Sequence, residues 1–572
     1  MLAGAVLVVA LAWAGVTALL ARGALEDAQG HLDAARAAAV RQDFAVASEQ
    51  VRAAAGPAHR ARRLTSGPLW ALGGRLPLTG PTVRAVTVSA RQVDVLATRV
   101  LPEVLQAAQE AAPDRLRSSV DTIDLAPLAA AAAPLADADS ALAQVRAALS
   151  GQGRGVVGPV RRGLTGLQGS VADLAASVHA AALAARLLPP MLGSAGPREY
   201  LLAFQNPAEA RGTGGLVGGY GVLDTDHGRL SVQSLGTDAD LTGLPSVPAS
   251  LGADYTALWG SDPALWVNSN ESANFPFGAE IWLDAWQRQH GRRLDGVVAL
   301  DPEVLSALLG VTGPARLPDG EQISADTVVR QTMQTAYVRF AADPAARKTY
   351  LTTVSAAVVR RLLGTTGDTS AMLRALGWAA GQRRLLVYSS HPDEERALAG
   401  QPIAGTLPDG PGPSALVAVN NAAGNKLDYY LDRRISYRGS VCRSGGMRPT
   451  RIELDLTNTV APDASLPDYV VGVLGAHAAT AAERNDDKVT AGFWLSPDAL
   501  VQQVLVDGHA AAFGLGREAG HPVVLTTLTL QPRVTHTVVV SMLEPATSAT
   551  ARLVVQPLVR PATTSVSVPT CS

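Results

Sequence analysis

At "LLPPMLGSAGPREYLLAF", Leu187 to Phe204, the period of the sequence changes. Upstream, apolar residues recur every three or four positions; downstream, short apolar runs alternate with helical segments. A helix buries a stripe and a strand buries a face, so the two patterns need different packing partners and divide the architecture here. Pro189, Pro190, Gly193, Gly196 and Pro197 punctuate the change. A chain of 572 residues also exceeds one hydrophobic core, which fits several domains.

From Ala24 to about Leu188 the reading is helical. "ALEDAQGHLDAARAAAVRQDFAVASEQVRAAA" carries Ala and Leu at three-four spacing with charges between them. The Gly- and Pro-rich "GPLWALGGRLPLTGP", Gly67 to Pro81, interrupts the pattern. A helical bundle or hairpin standing off a membrane is expected over residues 22–188. Ahead of it, Leu2 to Leu20 is nineteen residues without a charge. At 1.5 Å per residue that run spans roughly 28 Å, close to the hydrocarbon thickness of a bilayer. An uncleaved anchor over residues 1–21 is expected, with a cleavable signal peptide as the rival. The lack of a basic stretch before the apolar run favours the anchor, and the chain beyond residue 22 then lies outside the cytoplasm.

After the changeover, "REYLLAF" reads as a strand and "GLVGGYGVLDTDHGRLSVQSL" as two strands around a "TDHGR" turn. In "LDGVVALDPEVLSALLG" a buried strand leads to Asp301 as helix N-cap and Pro302 as first helical residue. These alternations predict an α/β core domain over 189–427. From about Asp428 the runs are strand-like only, which predicts an antiparallel β-sandwich over 428–572. The expected class is therefore multidomain α+β. The net charge of −2 leaves no electrostatic footprint for nucleic acid. Only three Lys stand among 48 basic residues, read as the codon bias of a high-GC bacterial genome. Cys442 and Cys571 lack metal-ligand spacing; in an exported protein they favour a disulfide, the alternative being two isolated thiols.

The stretch "FQNPAEARGTGGLVGGYGVL", Phe204 to Leu223, concentrates six Gly beside Glu209 and Arg211. It is not a Walker A loop, since no Lys follows the glycines, and Val217 stands where a dinucleotide fingerprint needs its third Gly. Two readings remain: glycines that let strands approach closely, or a ligand loop presenting Glu209 and Arg211 at a strand's carboxyl end.

"REYLLAFQNPAEARGTGGLVGGYGVLDTDHGRL", "WVNSNESANFPFGAEIWLDAW" and "LDGVVALDPEVLSALLGVTGPARL" together resemble the bacterial domain-of-unknown-function family 4012, over roughly Pro68 to Asp432. Members are envelope proteins with an N-terminal membrane helix. The same order of elements is more distantly similar to the LytR-CpsA-Psr phosphotransferases, which attach glycopolymers carried on polyprenyl pyrophosphate to the cell wall. That likeness implies a LytR-CpsA-Psr-like central domain, with Arg211, Arg339 and Arg347 as phosphate ligands. It places "SLGTD", Ser234 to Asp238, at a motif where Thr237 replaces an expected Arg. It implies Asp238 and Asp240 as ligands of a Mg²⁺ ion, Asp238 as candidate catalytic base, and Glu209, Asn268 and Asn270 as polar site residues. Bland alternatives stand beside each: solvated or paired arginines, Asp238 and Asp240 capping a turn, and "NSNESANFP" as a loop rich in self-bonding Asn. The implied partners are the membrane and a polyprenyl-phosphate lipid or cell-wall glycopolymer; the alternative is a non-enzymatic envelope scaffold. The binding reading expects an apolar groove beside three converging arginines.

Overall fold

The computed structural model describes residues 2–113, 115–116, 119–364, 368–442, 446–480 and 483–571; the side chains of residues 2–12 and of Ala14 lie outside the description. The chain divides into two compact units, Met1–Gly196 and Pro197–Ser572.

The first unit is helical: α1 (Leu2–Val40), α2 (Phe44–Thr65), α3 (Pro68–Gly73), α4 (Gly80–Val95), α5 (Leu101–Glu110), α6 (Ala126–Ser150) and α7 (Gly158–Met191), with one π-turn, Leu96–Val100, joining α4 to α5. Ala47, Val51, Ala54, Ala58 and Ala61 form the buried seam of α2. Their alternating spacing of four and three is a heptad, and alanine at the seam lets two helix axes come close. Asp43 starts α2 by accepting from the Val46 amide at 3.1 Å. The expected anchor is the first half of α1, which runs on unbroken to Val40; most of the anchor's side chains are among those not described. Among the described residues one helix, α7, is long and apolar enough to cross a membrane by length and composition. Its Leu164, Val171, Ala175, Val178 and Ala185 are buried in one cluster with Leu135, Leu142, Val145 and Leu149 of α6, so one stripe of α7 packs within the unit while most of the helix surface is uncovered. It also carries Pro189 and Pro190 in its last turn, past the expected boundary at residue 188.

The second unit begins with β1 (Arg198–Arg211), β2 (Gly214–Asp226) and β3 (Arg229–Thr237), continues through α8 (Ala253–Trp259) and α9 (Phe275–His290), and reaches β4 (Gly296–Leu300) and α10 (Pro302–Thr312). A two-residue ladder of β5 (Ala315–Arg316) and β6 (Gln322–Ile323) leads to α11 (Ala325–Arg330), α12 (Ala336–Arg339), α13 (Pro344–Leu363), α14 (Thr369–Gly381), β7 (Leu385–Ser389) and α15 (Pro392–Leu398). The central sheet has the order β3-β2-β1-β4-β7, with β1 and β4 parallel and the other neighbours antiparallel. Asp301 caps α10, accepting from the Glu303 and Val304 amides at 3.0 and 3.2 Å.

A sandwich follows: β8 (Ser414–Asn421), β9 (Leu431–Gly439), β10 (Met447–Asn458), α16 (Asp468–Ala476), β11 (Asp487–Leu495), β12 (Leu500–Val506), β13 (His509–Ala510), β14 (Gly514–Glu518), β15 (His521–Leu530), β16 (Thr535–Pro545), β17 (Arg552–Val555) and β18 (Thr563–Ser567). One sheet runs β13-β12-β16-β10-β9-β18 and the other β14-β15-β11-β8-β17. Alternate residues of both meet in one core, among them Val417, Ile435, Leu454, Phe493 and Val540.

Three expectations are corrected here. β8 pairs with β11 and β17 and so belongs to the sandwich, although the α/β core was expected to reach residue 427. The reason is physical: Leu416, Ala418 and Trp494 on the outer face of this sheet pack with Ala273 and Leu407, so β8 is buried on both faces and reads as a continuous apolar run. The sandwich is not wholly antiparallel, because β17 and β18 pair in parallel with β8 and β9. Nor is it strands only, since α16 bridges β10 and β11. Cys442 and Cys571 form a disulfide with a Cα–Cα distance of 5.6 Å, closing 129 residues of sequence.

Candidate functional site

From β1 the chain turns back into β2 on one side of the sheet; from β4 it leaves through α10 toward β7 on the other. The carboxyl ends of the parallel pair, Phe204 and Leu300, therefore open a crevice where the chain departs in opposite directions. Such switch points are where open α/β sheets hold ligands. A cleft of about 930 Å³, its open mouth included, occupies this position. Phe204, Leu216, Leu235, Leu300, Leu305 and Leu351 give it an apolar wall. Gly218 and Gly219 border it without side chains. On α13, Arg347, Lys348, Leu351, Thr352 and Ser355 face it at helical spacing.

Its charges are unequally partnered. Lys348 pairs with Asp238 at 3.1 Å, and Asp301 pairs with Arg384. Lys426, buried, pairs with Glu209, which also accepts from Arg211 Nη2 at 3.1 Å. Burial opposes both charges of the Lys426–Glu209 pair. Their mutual attraction prevails, leaving the amine above its usual range and the carboxyl below its own. Arg347 is different. Only 2 % exposed, its guanidinium lies 3.6 Å over the Tyr469 ring and 5.3 Å from that of Tyr337. Its Nη1 is buried without a hydrogen-bond partner, and among the described residues no carboxylate pairs with it. An unpaired buried ion costs several kcal/mol, and a desolvated cation–π contact returns about 2 kcal/mol. Arg347 is thus a cleft cation with no carboxylate paired to it among the described residues.

The three arginines expected to converge do not. Arg211 is spent inside the protein: Nε donates to the Val267 carbonyl at 2.8 Å, Nη1 to the carbonyls of Ala210 and Asn421, and Nη2 to Glu209 and to Asn268 Oδ1 at 3.4 Å. Arg339 is half exposed and pairs with Glu321 at 2.8 Å while covering the rings of Phe340 and Tyr350. Only Arg347 lines the cleft. Asn270, also buried, bonds through Nδ2 to Thr213 Oγ1 at 2.8 Å and to the Gly215 carbonyl at 2.9 Å. Glu209, Arg211 and Asn268 thus share one set of hydrogen bonds, and Asn270 belongs to another with Thr213 and Gly215. The glycines serve close approach: a Cβ on Gly215 would lie 2.2 Å from the Asn206 carbonyl carbon, and one on Gly212 would lie 2.3 Å from the Glu271 oxygen.

Asp238 and Asp240 do not fit a shared Mg²⁺ ion. Asp238 faces Lys348, whereas Asp240 accepts from the amide of Thr237 at 2.8 Å and from its hydroxyl, capping a short 3-10 turn. Among the described residues no group of three His, Cys, Asp or Glu gathers for a metal.

The sequence reading missed Lys348, Lys426, Tyr337 and Tyr469. One signal was present: two of only three lysines in the chain border this cleft, in a composition that otherwise uses arginine. Residues 195–337 match the family described as Protein of unknown function (DUF4012), so that resemblance holds over the segment containing the central sheet's first four strands. No curated protein matches the chain.

Proposed function

We propose that this is a membrane-anchored, extracytoplasmic envelope protein whose cleft binds the phosphate end of a polyprenyl-phosphate-linked glycopolymer and holds it without transferring it. The observation that carries the reading is Arg347, a buried cation without an anion, set at the carboxyl ends of the parallel strands. Phosphate oxygens suit a guanidinium fork, and the apolar wall beside it suits an isoprenoid chain. The uncharged run Leu2–Leu20 supplies the anchor, and the disulfide fits an oxidising compartment. Transfer is left out because Asp238, the candidate base, is held by Lys348.

The test is mass spectrometry of lipid co-purifying with the detergent-extracted full chain. A charge-assisted hydrogen bond of about 1.5–3 kcal/mol corresponds to a roughly 10- to 100-fold change in occupancy. Native protein and Arg339→Ala should carry a polyprenyl phosphate, and Arg347→Ala should lose it by that factor. A native protein free of lipid would overturn the reading and favour a non-enzymatic envelope scaffold.

A further inference from the structure

The interruption between α2 and α4 is apolar yet uncovered. Within the first unit, Leu69, Leu72, Leu76 and Leu78 are 39 %, 61 %, 52 % and 90 % exposed. The segment is nonetheless ordered by its own bonds: the Trp70 amide reaches the Gly67 carbonyl at 3.0 Å, Gly80 reaches Leu76 at 2.9 Å, and Arg84 donates to the Gly74 carbonyl. A hydrogen bond ties it to α1, Trp70 Nε1 donating to Thr17 Oγ1 at 3.1 Å. Thr17 lies in the last turns of the uncharged run. Around it Trp13, Val16, Leu19 and Leu20 are exposed, whereas Ala21, Ala24 and Ala28 are buried in the bundle. The leucine-bearing loop therefore sits at the height where α1 passes from uncovered apolar surface into packed protein.

Charge points to what covers it. Between Glu49 and Asp94 the chain carries no carboxylate, while Arg60, Arg62, Arg63, Arg75 and Arg84 all fall there. Arg62 is drawn to Asp94 and Arg84 is used in the loop; Arg75 is exposed between the leucines. Apolar side chains flanked by arginines, with a tryptophan at the boundary, match the junction of headgroups and acyl chains.

We propose that the loop Gly67–Gly80 is a second membrane contact, seated in the interface of an anionic bilayer beside α1. The inference rests on the reading of Leu2–Leu20 as the anchor. It would fix the rotation of α1 about its own axis through the Trp70–Thr17 bond, which one helix alone leaves free.

The experiment uses the full chain in nanodiscs of phosphatidylglycerol and phosphatidylcholine. An environment-sensitive fluorophore is placed on Leu76→Cys, on Val16→Cys or on Val40→Cys, with Cys442 and Cys571 left bonded. Val40 is exposed and lies about 35 Å along α1 from Thr17. Quenching by acyl chains brominated near the headgroup is read. At least twofold quenching is expected at Leu76 and Val16, and none at Val40. Quenching at Val16 without Leu76 overturns the loop proposal and leaves the anchor standing. Quenching at neither overturns the anchor and the proposal together. A Leu76 probe shielded from water but unquenched by bromine would assign the loop to a protein partner or a second copy, and also overturns it.

Discussion

Arg211 and Arg347 are both buried arginines of the same unit, 4 % and 2 % exposed, and they are opposites in chemistry. Arg211 directs its three nitrogens at Glu209, Asn268 and three carbonyls. Arg347 rests on two tyrosine rings and has a guanidinium nitrogen with no partner. Burial alone therefore does not separate a strut from a binding group; the state of the hydrogen-bond donors does. A saturated guanidinium holds the protein to itself, and an unsaturated one keeps a donor free, which is what the proposed function rests on.

The strongest way to break this contrast is Arg211→Ala. It leaves Glu209 with Lys426 alone and strands the carbonyls of Val267 and Asn421, so unfolding free energy should fall by about 3–5 kcal/mol in a denaturant titration. A loss below about 1 kcal/mol would mean that Arg211 is no strut. Glu518 offers a second buried ionisable group. Burial pushes its carboxyl from an ordinary value of 4.5 up to about 7, against hydrogen bonds from Ser272 and Trp259 that favour ionisation. Because the folded value is raised, its contribution is fully present below about pH 4.5 and is lost as pH rises through 7. Stability should thus decline by up to about 1.4 kcal/mol per pH unit across that window, and Glu518→Gln should flatten the decline in thermal melts at stepped pH. The smallest effect belongs to Arg347→Ala. Removing an unpaired buried cation should shift stability by no more than about 1 kcal/mol in either direction, while ligand is lost. A large destabilisation there would place Arg347 with Arg211 and erase the contrast.

Much of the local structure was readable from residues. Strand β1, the hairpin of β2 and β3, and the Asp301–Pro302 start of α10 each depend on neighbours in sequence. So does the pairing of Arg211 with Glu209, two residues away. The cleft was not readable, because its parts meet only through the fold. Phe204 comes from β1, Arg347 from α13, Lys426 from the turn after β8 and Tyr469 from α16 in the sandwich. Nothing in the spacing of these residues records that they meet. β8 failed for a related reason: a strand buried on both faces has the same pattern in a parallel α/β sheet as in a covered sandwich. The three-arginine site failed because residue type was matched without knowing each group's nearest carboxylate, and Glu321 claims Arg339 just as Glu209 claims Arg211.

The segment Gln556–Leu558 gives the molecule a timetable. Gln556 donates to the Arg211 carbonyl across 345 residues of sequence and also accepts from and donates to Val419. Its carbonyl receives Arg433 at 3.0 Å, and the Leu558 carbonyl receives Arg384 at 2.7 Å. Gln556 and Leu558 thus close polar networks whose other members, Arg211, Arg384, Val419 and Arg433, lie 123 to 345 residues earlier in the chain. At about 5–20 residues per second, the web around Arg211 waits on the order of tens of seconds for its last member. During that interval β8 and β9 have open edges where β17 and β18 will later lie.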